Sequence, residues 1–234
     1  DSIRITGNVT SGFIQGNAGT DTISVSVNVS SNTSIRGGRD GDLITIVGTT
    51  DTSYLSGDLG TDTLVLTGAV TNSSIFGGSL TDTTADSADS IFFGGGITNV
   101  FVQGNAGSDS IYVTGAAAQS TVWGGADADS IHLHAGGTQI AVAGQAGNDT
   151  LSLNGAFTQA TIEGGAGSSS ILIAGANIYS QSSVYGGSDG DTLNITSGAN
   201  VNSAFVAGAG NDSIVIAAIG GGTVLGGASL SDTA

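Results

Sequence analysis

Aspartate recurs along the chain at Asp1, Asp21, Asp42, Asp62, Asp89, Asp109, Asp129, Asp149, Asp191 and Asp212, mostly about 20 residues apart, with Ser169 in the one vacant slot. Each closes a glycine-rich turn and opens a short apolar stretch. Residues 16–25 read GNAGTDTISV, 104–113 GNAGSDSIYV and 144–153 GQAGNDTLSL. Three turns carry a second aspartate where glycine is expected, at Asp40, Asp127 and Asp189. Aspartate is both a turn former and a short, stiff oxygen ligand for hard cations. The spacing is therefore compatible with two chemistries, the capping of turns by side-chain–backbone bonds and the binding of a metal.

What surrounds the aspartates decides how they are presented. After each one come apolar residues two apart, as in Ile3/Ile5, Ile23/Val25, Ile44/Ile46, Leu64/Leu66, Ile111/Val113 and Leu151/Leu153. Such pairs point to one side of a strand. A second apolar position precedes each glycine turn: Ile14, Ile35, Leu55, Ile75, Val102, Val122, Val142, Ile162, Val184, Phe205 and Val224. No helical period is visible. Two short strands and two turns in about 20 residues predict one coil of a parallel β-solenoid, an all-β fold with about eleven coils in a single continuous body over 1–234. One unit is longer, and an insertion loop is expected around 79–88, carrying Asp82 and Asp86. Double-glycine turns (Gly37-Gly38, Gly124-Gly125) alternate with single ones (Gly16-Asn17, Gly144-Gln145). The expectation is alternating ligation along one edge rather than a coil two units long.

Stacking such coils places the aspartates in a column with neighbours about 4.8 Å apart. At an effective dielectric near 20, each adjacent ionised pair would repel by about 3.5 kcal/mol. The chain has no lysine and only Arg4, Arg36 and Arg39, so side-chain cations cannot compensate. A bound cation between turns would. Carboxylates with glycine-turn carbonyls form an all-oxygen donor set, which suits Ca²⁺. The expected ligands are Asp21, Asp40, Asp42, Asp62, Asp89, Asp109, Asp127, Asp129, Asp149, Asp189, Asp191 and Asp212. GGAGSS at 164–169 has lost its ligand and is expected to be empty.

The segments GNAGTDTIS, GNAGSDSIY, GQAGNDTLS and GGSDGDTLN resemble the GGxGxDxUx nonapeptide of RTX, or haemolysin-type calcium-binding, repeats. In that family stacked glycine–aspartate turns hold Ca²⁺ in a parallel β-roll. RTX arrays repeat every nine residues with calcium turns on both edges. Here the second half of each unit, such as TGAAAQSTVW, lacks the motif. The resemblance therefore implies calcium on one edge only. It is similar to RTX-like parts of bacterial surface-layer and giant cell-surface proteins, cyanobacterial ones included. That implies export, folding outside the cell where calcium is plentiful, and lateral self-assembly with copies of the same or adjacent array segments.

Composition narrows the function classes. With 19 acidic residues against 3 basic, the net charge is −16. Such a surface repels nucleic acid and anionic membranes, and no apolar run is long enough for a membrane span. Absence of cysteine rules out disulfides as a source of stability. No signal-peptide pattern is read in these residues, and the chain opens and stops in mid-motif, so the expectation is a segment of a longer array. No nucleophile–base pair or phosphate-binding lysine is present, so an enzyme is not expected. His132 and His134, flanking inward Leu133, read as surface polar residues. The outward aromatics Phe76, Trp123 and Tyr185 suggest lateral packing. The leading expectation is a structural module of a secreted, calcium-stabilised cell-surface protein. The alternative is a fibrous adhesin or an ice- or glycan-binding solenoid, with cell-surface polysaccharide as a further partner.

Overall fold

A computed structural model describes residues 1–79, 86–175, 179–196 and 200–227. Asp82 and most of the expected insertion loop lie outside the described residues. The chain winds into a parallel β-solenoid of three sheets, each of eleven strands, and every sheet takes one strand per coil. The first sheet follows the aspartates, beginning Ser2–Ile5, Thr22–Val25, Leu43–Ile46 and Thr63–Leu66. The third precedes and includes the glycine turns, as in Phe13–Ala18, Thr33–Arg39 and Phe101–Ala106.

The coil carries three strands rather than the expected two. The second sheet is built from two-residue strands such as Val9–Thr10, Val70–Thr71 and Phe157–Thr158. Each contributes one inward side chain, and two residues are too few to display a period of two. The cross-section is thus three-sided.

Pairing is parallel and in register through the body. Ile23 lies on Ile44, Leu64 on Ile91, Ile111 on Ile131 and Leu151 on Ile171. In the third sheet Ile14 lies on Ile35, Val102 on Val122 and Val142 on Ile162. These columns form one continuous core that is almost wholly buried through the middle coils. A single coil could not hide its apolar residues, so each step of stacking removes two apolar faces from water at once. The second sheet balances volume from coil to coil: buried Phe157 stands on Gly137, which stands on Ala117.

The outward aromatics pack on one another. In the third sheet Tyr54, Phe76, Phe101 and Trp123 zigzag along the axis with ring centroids 5.3, 5.6 and 5.0 Å apart, and the Arg36 guanidinium lies 5.0 Å from the Tyr54 ring centre. Rings and polar residues alternate along the two outward columns, Tyr54, Ser74, Phe101, Thr121 and Ser56, Phe76, Gln103, Trp123. Phe76 is buried by this packing. On the first sheet Phe92, Tyr112 and His132 form a similar stack. His132 also shares a 3.0 Å hydrogen bond with Ser130.

Candidate metal centre

The corner between the third and first sheets gathers the recurring aspartates into one column. Asp21, Asp42, Asp62, Asp89, Asp109, Asp129, Asp149 and Asp191 are 1–3 % exposed, and Ser169 occupies its slot at 2 %. Asp212 completes the series half-buried. The side chains therefore do not line an exposed edge. They point into the turn, where their own coil's glycine makes room for them.

That glycine stands five residues upstream in the regular turns. At Gly104 a β-carbon would collide with Oδ2 of Asp109 and lie 2.6 Å from the carbonyl oxygen of Gly124. The same crowding recurs at Gly16, Gly37, Gly57, Gly77, Gly124, Gly144 and Gly186. Glycine is needed there because a carboxylate and the next coil's carbonyl occupy the place of its side chain. In the tenth coil Ala207 replaces it, and that coil's aspartate, Asp212, is the less buried one.

The two carboxylate oxygens have different surroundings. Oδ1 accepts a hydrogen bond from the backbone N–H of the aspartate one coil earlier. Asp21 N–H donates to Asp42 at 2.7 Å, Asp42 to Asp62 at 2.7 Å, Asp62 to Asp89 at 2.7 Å, Asp89 to Asp109 at 2.7 Å, Asp109 to Asp129 at 2.7 Å and Asp129 to Asp149 at 2.8 Å. Asp149 N–H donates to the Ser169 hydroxyl at 3.3 Å, and Ser169 N–H returns to Asp191 at 2.8 Å. Oδ2 is buried and without a hydrogen-bond partner at Asp21, Asp42, Asp62, Asp89, Asp109, Asp129, Asp149, Asp191 and Asp212. One such atom is costly, and here it is repeated in nine coils.

Burial is the main cause of the resulting electrostatics. It pushes the carboxyls of Asp62 and Asp129 up to about 7, Asp109 to about 8 and Asp89 to about 9, and raises Asp42, Asp149 and Asp191 as well. The accepted N–H works in the opposite direction at each. Repulsion from neighbouring aspartates adds a smaller rise at Asp62, Asp89, Asp109 and Asp129. The expected strain was mutual repulsion; the larger contribution is loss of water.

The second aspartates occupy a different place. Asp40, Asp127 and Asp189 are exposed at the outer side of the turn, with φ of 73–74°. Asp40 accepts the N–H of Gly19 at 3.0 Å, and Asp189 that of Gly167 at 3.2 Å. Among the described residues, no three Asp, Glu or His side chains converge on a single point. The column thus offers one buried carboxylate oxygen per coil, together with backbone carbonyls, rather than a cage of acids.

The alternation of glycine turns has a steric origin. Two turn positions take positive φ in most coils. Where Asn17, Asn105 or Gln145 fills the first, glycine fills it in the coil above: Gly38, Gly125 and Gly165. A β-carbon on Gly38 would run into the Asn17 carbonyl. A side chain at this position therefore has glycine in the neighbouring coil, although glycine also stacks on glycine at Gly165, Gly187 and Gly208, and the coil itself remains one unit long. In the over-long unit, Asp86 folds back against Gly78 and receives the N–H of Ser79 at 3.2 Å.

A second corner, between the second and third sheets, went unnoticed in the sequence. It holds Thr33, Ser53, Ser73, Ser120, Ser182 and Ser203. N–H groups again donate to the next coil's side chain: Ser53 to Ser73 at 3.0 Å, Val100 to Ser120 at 3.1 Å and Ala160 to Ser182 at 3.1 Å. The hydroxyls of Thr33, Ser53, Ser73, Ser120 and Ser182 in turn donate to nearby carbonyls, as Ser73 to Thr71 at 2.7 Å and Ser120 to Ala118 at 2.7 Å. Of this column's hydroxyls, none is left buried and unpaired among the described residues. In the sequence this corner shows only as a Ser or Thr two residues before the third-sheet core position in six of the coils; Val100, Ile140 and Ala160 take the same place in others.

The buried Oδ2 atoms and adjacent carbonyls fit a hard cation. The donor set is all oxygen, and the orphaned lone pairs are those a cation would take. No family model matches the chain, and no curated relative does. Among solved structures, the fold is similar to that of a hyperactive, Ca²⁺-dependent, β-helical antifreeze protein from an Antarctic bacterium. The two share 18 % identity at a TM-score of 0.56, over 96 % of this chain and 78 % of that one. A mutant tailspike protein of E. coli bacteriophage HK620, in complex with a pentasaccharide, aligns at 14 % identity and a TM-score of 0.35, over 100 % of this chain and 59 % of that one. The first likeness supports a β-helix and, at 18 % identity, speaks to the fold alone; the second carries no argument.

Proposed function

We propose that this chain is a calcium-stiffened solenoid segment of a secreted cell-surface protein, a structural part rather than an enzyme, of the RTX-like kind found in surface-layer and giant surface proteins. The observation that carries the reading is the file of nine buried Oδ2 atoms without partners. Asp21, Asp42, Asp62, Asp89, Asp109, Asp129, Asp149, Asp191 and Asp212 would hold Ca²⁺ together with turn carbonyls. Asp40, Asp127 and Asp189 would contribute from outside the turn, directly or through water. Bound calcium would supply positive charge where the core excludes water, so that the carboxylates stay ionised. The ions would also tie each coil to the next along one corner, giving a stiff rod suited to lateral assembly. Outside the cell, calcium is abundant enough to fill weak sites.

The test is a calcium titration followed by circular dichroism. The expected result is a β spectrum that is weakened and melts at lower temperature in chelator at neutral pH and is restored at millimolar Ca²⁺, with magnesium much less effective. An unchanged β spectrum in chelator would remove the metal from the account and leave the solenoid.

A second reading, a binding module of an adhesin, is favoured by one observation. The second sheet presents an uncharged, regularly repeating strip of hydroxyls and amides along the rod.

A further inference from the structure

The strip lies on the second sheet and on the corner that follows it. Its first column is Thr71, Thr98, Ala118, Thr138, Thr158 and Ser180, stacked in register and facing outward beside the buried core column. Its second column is Asn72, Asn99, Gln119, Gln139, Gln159, Gln181 and Asn202, all exposed.

Every residue of the second column has positive φ, between 49 and 55°. Glycine adopts that conformation freely and asparagine fairly well, but glutamine does not favour it. The chain has 41 glycines and uses one here, Gly221. Seven successive coils instead keep an amide, and in four of them it is glutamine, which this conformation disfavours. Hydrogen bonding along the ladder accounts for part of this: Asn99 donates to Asn72 at 2.9 Å, and Gln159 to Gln181 at 3.4 Å. An amide bonded once on each side still has a donor and an acceptor to offer outward.

Three further features define the surface. No acidic or basic residue interrupts the two columns from Thr71 to Asn202, although the chain carries −16; Asp51 marks their charged end, where it accepts from Thr71 at 2.6 Å and Asn72 at 2.8 Å. The preceding positions are Gly96, Ala116, Gly136 and Ala156, which keep the face level. The groups repeat once per coil, about every 4.8 Å, for about 30 Å.

We infer that this hydroxyl–amide strip is a binding surface for a neutral, extended polysaccharide lying along the solenoid axis. This deepens the second reading above and rests on it. The strip's lack of charge selects a neutral partner, because polyanions are repelled by the body and polycations find no carboxylate here. Alternating donors and acceptors match a hydroxyl-rich chain, and one set of groups per coil is close to one hexose of an extended glycan. A second copy of this chain fits less well. A strip about 10 Å wide buries only about 300 Å² per partner, against about 800 Å² in a standard protein interface.

The experiment uses the whole chain in calcium. It measures cosedimentation with insoluble cellulose, chitin and curdlan, with soluble polygalacturonate as the anionic control. The triple variant Q119E/Q139E/Q159E keeps side-chain shape but removes three donors and adds three charges. The variant T98V/T138V/T158V removes hydroxyls while favouring the strand. We expect retention on at least one neutral polysaccharide, weakened at least tenfold by either variant, with unchanged circular dichroism and no binding to polygalacturonate. Trp123→Ala, on the third sheet, should leave retention intact. The inference is overturned if no neutral polysaccharide is retained, if both folded variants bind like the parent, or if Trp123→Ala is the substitution that abolishes binding. It is equally overturned if the triple variant instead dissolves a dimer seen in sedimentation velocity, or removes a freezing hysteresis in the absence of polysaccharide binding. A normal calcium response without retention sinks this inference alone; retention without a calcium response sinks the metal reading alone.

Discussion

Two corners of this solenoid solve the same problem with different residues. At both, backbone N–H groups of the turn are accepted by a side-chain oxygen from the next coil. At the second-to-third-sheet corner, in the coils where Ser or Thr stands there, that oxygen is a hydroxyl, which donates its own hydrogen bond to a carbonyl and so is itself satisfied. At the third-to-first-sheet corner it is a carboxylate, which brings a second oxygen with no partner. Serine suffices for the structural task, as Ser169 demonstrates within the aspartate column itself. The surplus oxygen is therefore unfavourable unless something else binds it, and the comparison isolates what the aspartates add.

The largest expected effect separates the corners by pH. Consider the chain in chelator. The carboxyls of Asp62, Asp89, Asp109 and Asp129 lie near 4 when unfolded and at about 7 to 9 when folded. Between those values the folded state binds more protons, so stability falls as pH rises. The calcium-free protein should be most stable near pH 4 and lose that stability progressively up to about pH 9, the reverse of ordinary acid denaturation. Saturating calcium should reverse the trend, since the ion competes with the proton. Thermal melts at several pH values check this, and a calcium-free melting temperature that rises from pH 4 to 8 contradicts it.

Next in size is a change of sign. Asp109→Ser keeps an acceptor for the Asp89 N–H but deletes the surplus oxygen. In chelator at pH 8 it should stabilise by about 1–3 kcal/mol, the cost of a buried unsatisfied group. In calcium it should destabilise by a similar amount. Paired urea titrations would show the crossing, and equal effects in the two buffers would argue against a metal at this corner.

At the hydroxyl corner, Ser120→Ala leaves the Val100 N–H buried and unpaired. About 1–2 kcal/mol should be lost, by the same amount with and without calcium. A calcium-dependent loss would mean that the corners are not independent.

The smallest effect is expected from filling the gap. Ser169→Asp should add up to one calcium per chain by direct metal analysis and about 1 kcal/mol of calcium-dependent stability. In chelator it should be neutral or slightly destabilising. An unchanged stoichiometry would indicate that the ions sit elsewhere than beside this column.

The legibility of these features follows from how many residues each one uses. The aspartate column and the inward pairs such as Ile111/Val113 repeat with little variation, because each slot accepts only one kind of side chain. Coil count and parallel stacking were therefore readable. The second sheet was not. Its single inward position runs through Val70, Ile97, Ala117, Gly137 and Phe157, with volume traded between coils, so no residue type recurs. The amide column did leave a trace, in the repeated Thr-Asn and Thr-Gln of Thr71-Asn72, Thr98-Asn99, Thr138-Gln139 and Thr158-Gln159. The burial of the carboxylates was invisible in the string of letters, because glycine spacing alone does not tell whether a turn opens outward or closes over its own aspartate.

Every bond in the aspartate file runs one way, from the amide of one winding to the acid of its successor. The rod accordingly has a grain. Within this file, lifting off the amino-terminal winding frees an acceptor and lifting off the carboxy-terminal one strands a donor, whereas the backbone bonds beside it, such as Ser110 N–H to the Asp89 carbonyl, run the other way and hold each junction from both sides.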